Sequence, residues 1–159
     1  MTYEDLLIES EKENLIVKEK NMAGYKGRIY GNRIAIRKSL TSVEKSCVLA
    51  EELGHYYTTA GDIRDQSHAS NRKQELHARL WGYNQQVGLL GIIKAYKARR
   101  TSQEDMAEFL GVTPEYLLEA LEQYRSKYSP YIEVDNYVIF FEPNLAVMEK
   151  LKECPMIIN

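Results

Sequence analysis

The sequence predicts an α+β fold, mostly helical, laid over a small antiparallel sheet. Three observations point there. Thr41-x-x-Glu44 and Thr101-x-x-Glu104 are capping boxes that open runs of helical periodicity. Two short runs rich in β-branched and aromatic residues flank the tight-turn pairs Gly31-Asn32 and Asp135-Asn136. At 159 residues the chain fits one ordinary domain, or a small domain with a compact appendage. A content of 44% hydrophobic and 28% charged residues excludes a disordered or fibrous chain.

Taken in order, Thr2 to about Met22 reads as one helix with a ragged apolar stripe of Leu6, Leu7, Ile8, Leu15 and Ile16. Residues 28–37 read as a hairpin, because Gly31 and Asn32 tolerate the positive φ of a tight turn. A helix from about Ser42 to Tyr57 follows the first capping box. Residues 58–70 contain Gly61, Asp62 and Asp65 and read as an irregular loop. Helices over about 71–86 and 89–100 come next, the latter ending in Lys97, Arg99 and Arg100, which suit a negative helix C-terminus. The helix after Thr101 stops at Gly111, and Thr113-Pro114 restarts it with an N-cap and a first-turn proline. A second hairpin spans 131–141, and a C-terminal helix is expected over about 145–153.

Several function classes are weakened by the bulk properties. A net charge of −2 exerts no global pull on nucleic acid or an anionic membrane. The polar start Thr2-Tyr3-Glu4-Asp5 does not read as a signal peptide, and runs such as 137–141 are far too short to span a bilayer. Cys47 and Cys154 lack metal-motif spacing and are too few for a disulfide scaffold, so a reducing cytoplasm is expected.

Glu51-Glu52-Leu53-Gly54-His55 is one residue away from His-Glu-x-x-His, in which two imidazoles one turn apart hold zinc and the Glu activates water. On a helical projection Val43, Cys47, Ala50, Gly54 and Tyr57 form the core face. Glu51 and His55 lie on its flank, close enough to converge on one point, and Glu52 points further toward solvent. An interior glycine costs roughly 1 kcal/mol in a helix, so Gly54 implies close approach of a strand or another helix. Unpaired carboxylates beside an apolar face are expensive, which favours a site over a solvated surface.

Glu75 is the candidate third ligand, because zinc hydrolases of the Glu type take one from a second helix and leave a coordination position open. It shares a face with Ala78 and Arg79, while Leu76, Leu80 and Tyr83 read as packing residues. His77 competes but points away from Glu75 on a regular helix. Asp62, Asp65 and His68 lie on or beside the loop and within reach, and Cys47 lies one turn before Glu51, where burial explains it.

The segment Leu49-Ala50-Glu51-Glu52-Leu53-Gly54-His55-Tyr56-Tyr57 resembles the Ala-His-Glu-Leu-Gly-His segment of the ImmA/IrrE-type metallo-endopeptidases of phages and integrative elements. Glu75-x-x-Ala78 with Trp81 resembles their Glu-x-x-Ala-x-x-Phe segment, and the likeness covers about residues 20–90. It implies a zincin-like domain with His55 and Glu75 as zinc ligands and Glu52 as general base. Glu51 stands in place of the first His, as a variant ligand. The implied activity is cytoplasmic cleavage of a cognate helix-turn-helix repressor. Two carboxylates and one imidazole neutralise Zn²⁺ fully, and so predict a weaker hydrolase or a preference for Mn²⁺.

Residues 103–117 resemble a helix-turn-helix core, with Ala-x-x-Leu-Gly-Val-Thr placing a short helix, a glycine turn and a second helix. Charge argues against DNA binding. Residues 101–125 carry six acids against the single base Arg125, and Glu115, Glu119 and Glu122 on the second helix would repel phosphates. The segment reads as a structural or partner-binding unit that suits a basic surface on a repressor. The expected division is a metallopeptidase domain over 1–88 and a helical extension over 89–159, with scope to pack as one. The rival readings are a non-catalytic antirepressor with a degenerate metal site and a helix-turn-helix DNA-binding regulator.

Overall fold

The computed structural model describes residues 1–58 and 68–151, with the side chains of all of these except 68–71. The fold is α+β, with six helices and two three-stranded sheets among the described residues. Helix α1 (Tyr3–Lys12) is capped by Thr2, whose hydroxyl accepts from Asp5 N–H while Asp5 returns a bond to Thr2 N–H.

The first helix is much shorter than expected. Asn14 takes φ 57°, the chain reverses, and Ile16–Lys20 forms strand β1. Two physical reasons act together. Asn tolerates the left-handed conformation that ends a helix, and the adjacent β-branched Ile16 and Val17 fit a pleated strand better than a helical turn. The apolar stripe is therefore two pieces, with Leu6 and Leu15 meeting in one core.

Strands β2 (Gly27–Tyr30) and β3 (Arg33–Arg37) form the expected hairpin, and Gly31 takes φ 59° at its turn. β3 also pairs parallel with β1, so the order is β1-β3-β2 and the sheet is mixed. β2 is left at its edge, beside α2 (Ser42–Thr58). Ile34 and Ile36 point from β3 into a core with Leu6, Leu15, Leu49 and Leu53. Each such fully buried side chain contributes about 1.5–3 kcal/mol.

Helix α2 opens with the predicted capping box, Thr41 and Glu44 bonding each other's backbone N–H. Its buried arc is wider than a single stripe, because the sheet and α1 cover one side and α3 (His68–Gln86) the other. Leu49 and Leu53 are fully buried, while Val43, expected on the core face, is exposed. α2 and α3 run antiparallel at very close range. A Cβ on Gly54 would overlap the Ala78 carbonyl, and one on Gly82 would stand 3.2 Å from Ala50 O.

Helices α4 (Gly88–Lys97), α5 (Gln103–Leu110) and α6 (Pro114–Tyr128) follow. The α5 cap is Ser102, accepting from Asp105 N–H at 3.0 Å, one residue later than the expected Thr101 box. Gly111 closes α5 at φ 69°, and Thr113 with Pro114 starts α6 as predicted. The Tyr124 hydroxyl donates to Asn84 at 3.0 Å and accepts from Gly88 N–H at 3.2 Å, fixing α6 against the α3–α4 junction.

Strands β4 (Tyr131–Val134), β5 (Tyr137–Phe140) and β6 (Ala146–Glu149) form an antiparallel meander. The expected C-terminal helix is thus replaced at 146–149 by a strand. Val147 fills the core there while Met148 faces out, a two-residue period that suits a sheet. This second core joins Cys47, Tyr83 and Val87 to Leu117, Ile139 and Phe141, drawing on both halves of the chain. No helix of the described residues is long and apolar enough to cross a membrane.

Candidate metal centre

The close contact at Gly54 builds the site. With no Cβ there, α3 approaches α2 until Glu75 faces His55, and Glu75 Oε2 lies 3.4 Å from His55 Nε2. Glu51 joins from one turn earlier on α2. Glu51, His55 and Glu75 each offer a ligand atom, and these atoms lie within 4.8 Å of one another. Tetrahedral zinc with bonds of about 2.0–2.1 Å sets its donors roughly 3.3 Å apart, so the His55–Glu75 spacing already fits and Glu51 needs only a small closure. All three side chains are partly exposed, which leaves room for a further ligand from solvent or substrate.

Glu51 is set in a mixed field. Burial raises its carboxyl above the ordinary range, Arg79 pulls it back, and Glu75 opposes that pull. The Arg79 Nε stands 3.4 Å from Glu51 Oε1 and 3.0 Å from Glu75 Oε1, bridging carboxylates from the two helices.

Glu52 corrects an expectation. It does not point to solvent but is 9% exposed, turned toward strand β2. Burial, then the charge of Glu51, pushes its pKa up to about 7, while a hydrogen bond with the Ile29 backbone opposes the rise. A helical projection places Glu52 on the outer side of α2 but cannot know that a sheet edge covers that side. Gly27 makes the space. A Cβ there would overlap Val48 Cγ1 and stand 2.9 Å from Glu52 Oε1. The sequence signals Gly27 only as a glycine at the start of a strand, four residues before the turn at Gly31.

The other candidates fall elsewhere. His77 is exposed and stands outside the cluster. Cys47 is buried in the second core, and burial pushes its thiol up. Asp62, Asp65, the His68 side chain and Cys154 lie outside the described residues. Among the polar neighbours Tyr56, Tyr57 and Arg79, Arg79 touches the clustered carboxylates. Tyr56 donates to Glu13 at 3.4 Å and Tyr57 stacks on Trp81.

Two cavities flank the cluster. One of about 700 Å³ lies between α3 and α6, lined by Arg72, Glu75, Arg79, Tyr83, Glu119 and Glu122. A smaller one of about 200 Å³ includes Glu51, Arg79, Glu115 and Glu119 in its lining. The acidic face of α6 therefore walls the space beside the site, and Tyr83 holds Glu119 by a 2.9 Å hydrogen bond.

Comparison with protein families matches residues 9–122 to the IrrE N-terminal-like domain of the M78 peptidases. That match takes in both motif helices and the greater part of the chain, so the chain belongs to this family and is of the metallopeptidase kind. No curated protein and no solved structure matches it.

Proposed function

We propose that this member of the IrrE N-terminal-like peptidases is a zinc-dependent endopeptidase that cleaves a helix-turn-helix repressor of a phage or mobile element in the cytoplasm. The observation that carries the reading is the convergence of Glu51, His55 and Glu75 beside a buried Glu52. Two oxygens and one nitrogen suit Zn²⁺, and also admit the harder Mn²⁺. When bound, the metal supplies Lewis acidity for the scissile carbonyl and lowers the pKa of the attacking water.

This chain's residues do the rest. Glu52, whose carboxyl burial and the charge of Glu51 raise to about 7 in the metal-free protein, accepts the proton of the attacking water and passes it to the leaving amine. The Ile29 backbone, hydrogen-bonded to that carboxylate, holds it in place. Glu115, Glu119 and Glu122 along the adjoining cavities favour a basic stretch of the partner, a charge common on DNA-binding proteins. The same acids disfavour DNA as a ligand of α6.

The test is metal analysis of the purified protein, followed by incubation of wild type and Glu52→Gln with the repressor encoded beside it. One equivalent of metal in both proteins and cleavage by the wild type alone is the expected result. Absence of metal, or equal cleavage by Glu52→Gln, overturns the reading. A second reading draws on Glu51 in the place of an imidazole and on Arg79 across both carboxylates. In that reading the protein is an antirepressor, and a stable complex forms with the repressor left intact.

A further inference from the structure

Arg79 stands one turn beyond Glu75 on α3, and about half of its side chain is exposed. Its Nε reaches Glu75 Oε1 at 3.0 Å and Glu51 Oε1 at 3.4 Å. Glu75 divides its two oxygens. Oε1 faces Arg79, while Oε2 faces His55 Nε2 at 3.4 Å. A guanidinium can therefore keep Oε1 while Oε2 stays on the imidazole side, where the three donors converge.

We propose that Arg79 is a positioning residue of the metal centre, which orients the Glu51 and Glu75 carboxylates and returns the positive charge lost by having Glu51 in place of an imidazole. This rests on the metal-site reading above. The charge count is direct. A divalent ion with Glu51, Glu75 and neutral His55 sums to zero, and Arg79 brings the sum to one positive charge. A His-Glu-x-x-His site with one further Glu has that same single positive charge.

Two consequences separate this role from plain packing. Without metal, Arg79 is the cation that relieves repulsion between the two carboxylates, so it stabilises the empty site. With metal, it repels the ion. Removing Arg79 thus tightens metal binding on both electrostatic counts, which outweigh the loss of carboxylate orientation at this half-exposed site, yet leaves a less positive centre that is a poorer Lewis acid. A residue that merely held the helices together would, on removal, weaken binding and cleavage together.

The experiment compares wild type with Arg79→Met, which keeps the aliphatic stem, and Arg79→Lys, which keeps the charge without the planar fork. Zinc affinity is measured by competition against a chromophoric chelator, and thermal unfolding is followed with and without zinc. Cleavage of the repressor is measured at saturating zinc. Arg79→Met is expected to bind zinc at least tenfold more tightly, to gain more in Tm on zinc addition than wild type, and to cleave at least tenfold more slowly. Arg79→Lys is expected to recover part of each change.

Zinc affinity in Arg79→Met that is equal to wild type or weaker overturns the proposal, as does unchanged cleavage at saturating zinc. Zinc binding by Arg79→Met and not by wild type would support the hold of Arg79 on the carboxylates while defeating the peptidase reading of the wild type. Binding by neither protein would defeat both.

Discussion

Replacing Glu52 by Gln in the metal-free protein should make it more stable at alkaline pH, although it removes the proposed general base. Burial is the first cause of the raised pKa, with Glu51 adding to it, so the fold tolerates the neutral carboxyl better than the carboxylate. In the unfolded chain the group ionises near 4.5, and in the folded protein only near about 7. Its contribution to stability is therefore fully present below pH 4.5 and is lost as pH rises through about 7. At about 1.4 kcal/mol for each tenfold in the proton equilibrium, the loss is about 3 kcal/mol. Gln carries no charge, and its amide oxygen still accepts a hydrogen bond where Ile29 meets the carboxylate. The assay is denaturant unfolding of zinc-free wild type and Glu52→Gln from pH 5 to pH 8. The difference in favour of Glu52→Gln should widen by about 2–3 kcal/mol across that range. Every other titrating group is common to both proteins and cancels in the comparison. Stability curves that stay parallel would refute the reasoning, since they would mean that Glu52 ionises in the fold as it does in water.

Gly54→Ala sets a methyl against the Ala78 carbonyl, a backbone atom that moves only if α3 moves. It should destabilise by about 3 kcal/mol, the upper range for overpacking, and abolish zinc binding, as read by thermal unfolding and chelator competition. Gly27→Ala meets only side chains, Val48 and Glu52. Zinc affinity should stay within about threefold of wild type while repressor cleavage falls at least tenfold, because a displaced base costs rate more than metal. Glu51→His adds one positive charge to the centre and should raise the cleavage rate at saturating zinc, whereas Arg79→Met lowers it. Combining the two restores the single positive charge, so the double variant should cleave at a rate between those of the two single ones. A double variant slower than Arg79→Met alone would sink the charge argument.

The motif helices were legible because their signals are local. Thr41 and Glu44 cap α2 through their own backbone, and Glu51, His55 and Glu75 need only a helical period and one close contact to meet. Gly54 announced that contact by being a glycine inside a helix. What escaped the sequence depends on non-local pairing. β1 exists because β3 lies beside it, and nothing within residues 13–22 specifies a parallel partner. β6 likewise takes its form from β5. The burial of Glu52 follows from the same gap, since the covering strand is the edge of a sheet whose placement no helical projection contains. Arg79 was visible as a neighbour of Glu75 on its helix, but its reach across to Glu51 requires the two helices in space.

Adjacent carboxylates on one helix would ordinarily compete for the same protons, and the charge of Glu51 does add to the raised pKa of Glu52. The fold separates their roles by giving them different neighbours. Glu51 turns toward α3, where burial raises its carboxyl and Arg79 opposes that rise, favouring the ionised form that a ligand needs. Glu52 faces strand β2, within reach of the charges of Glu51 and Glu75, where the Ile29 backbone bond only partly offsets burial, and its pKa comes to about 7. A ligand must stay charged, whereas a proton shuttle must change charge near the working pH. The departure at Glu51 is therefore compatible with hydrolysis on one condition: that Arg79 keeps the first carboxylate from behaving like the second.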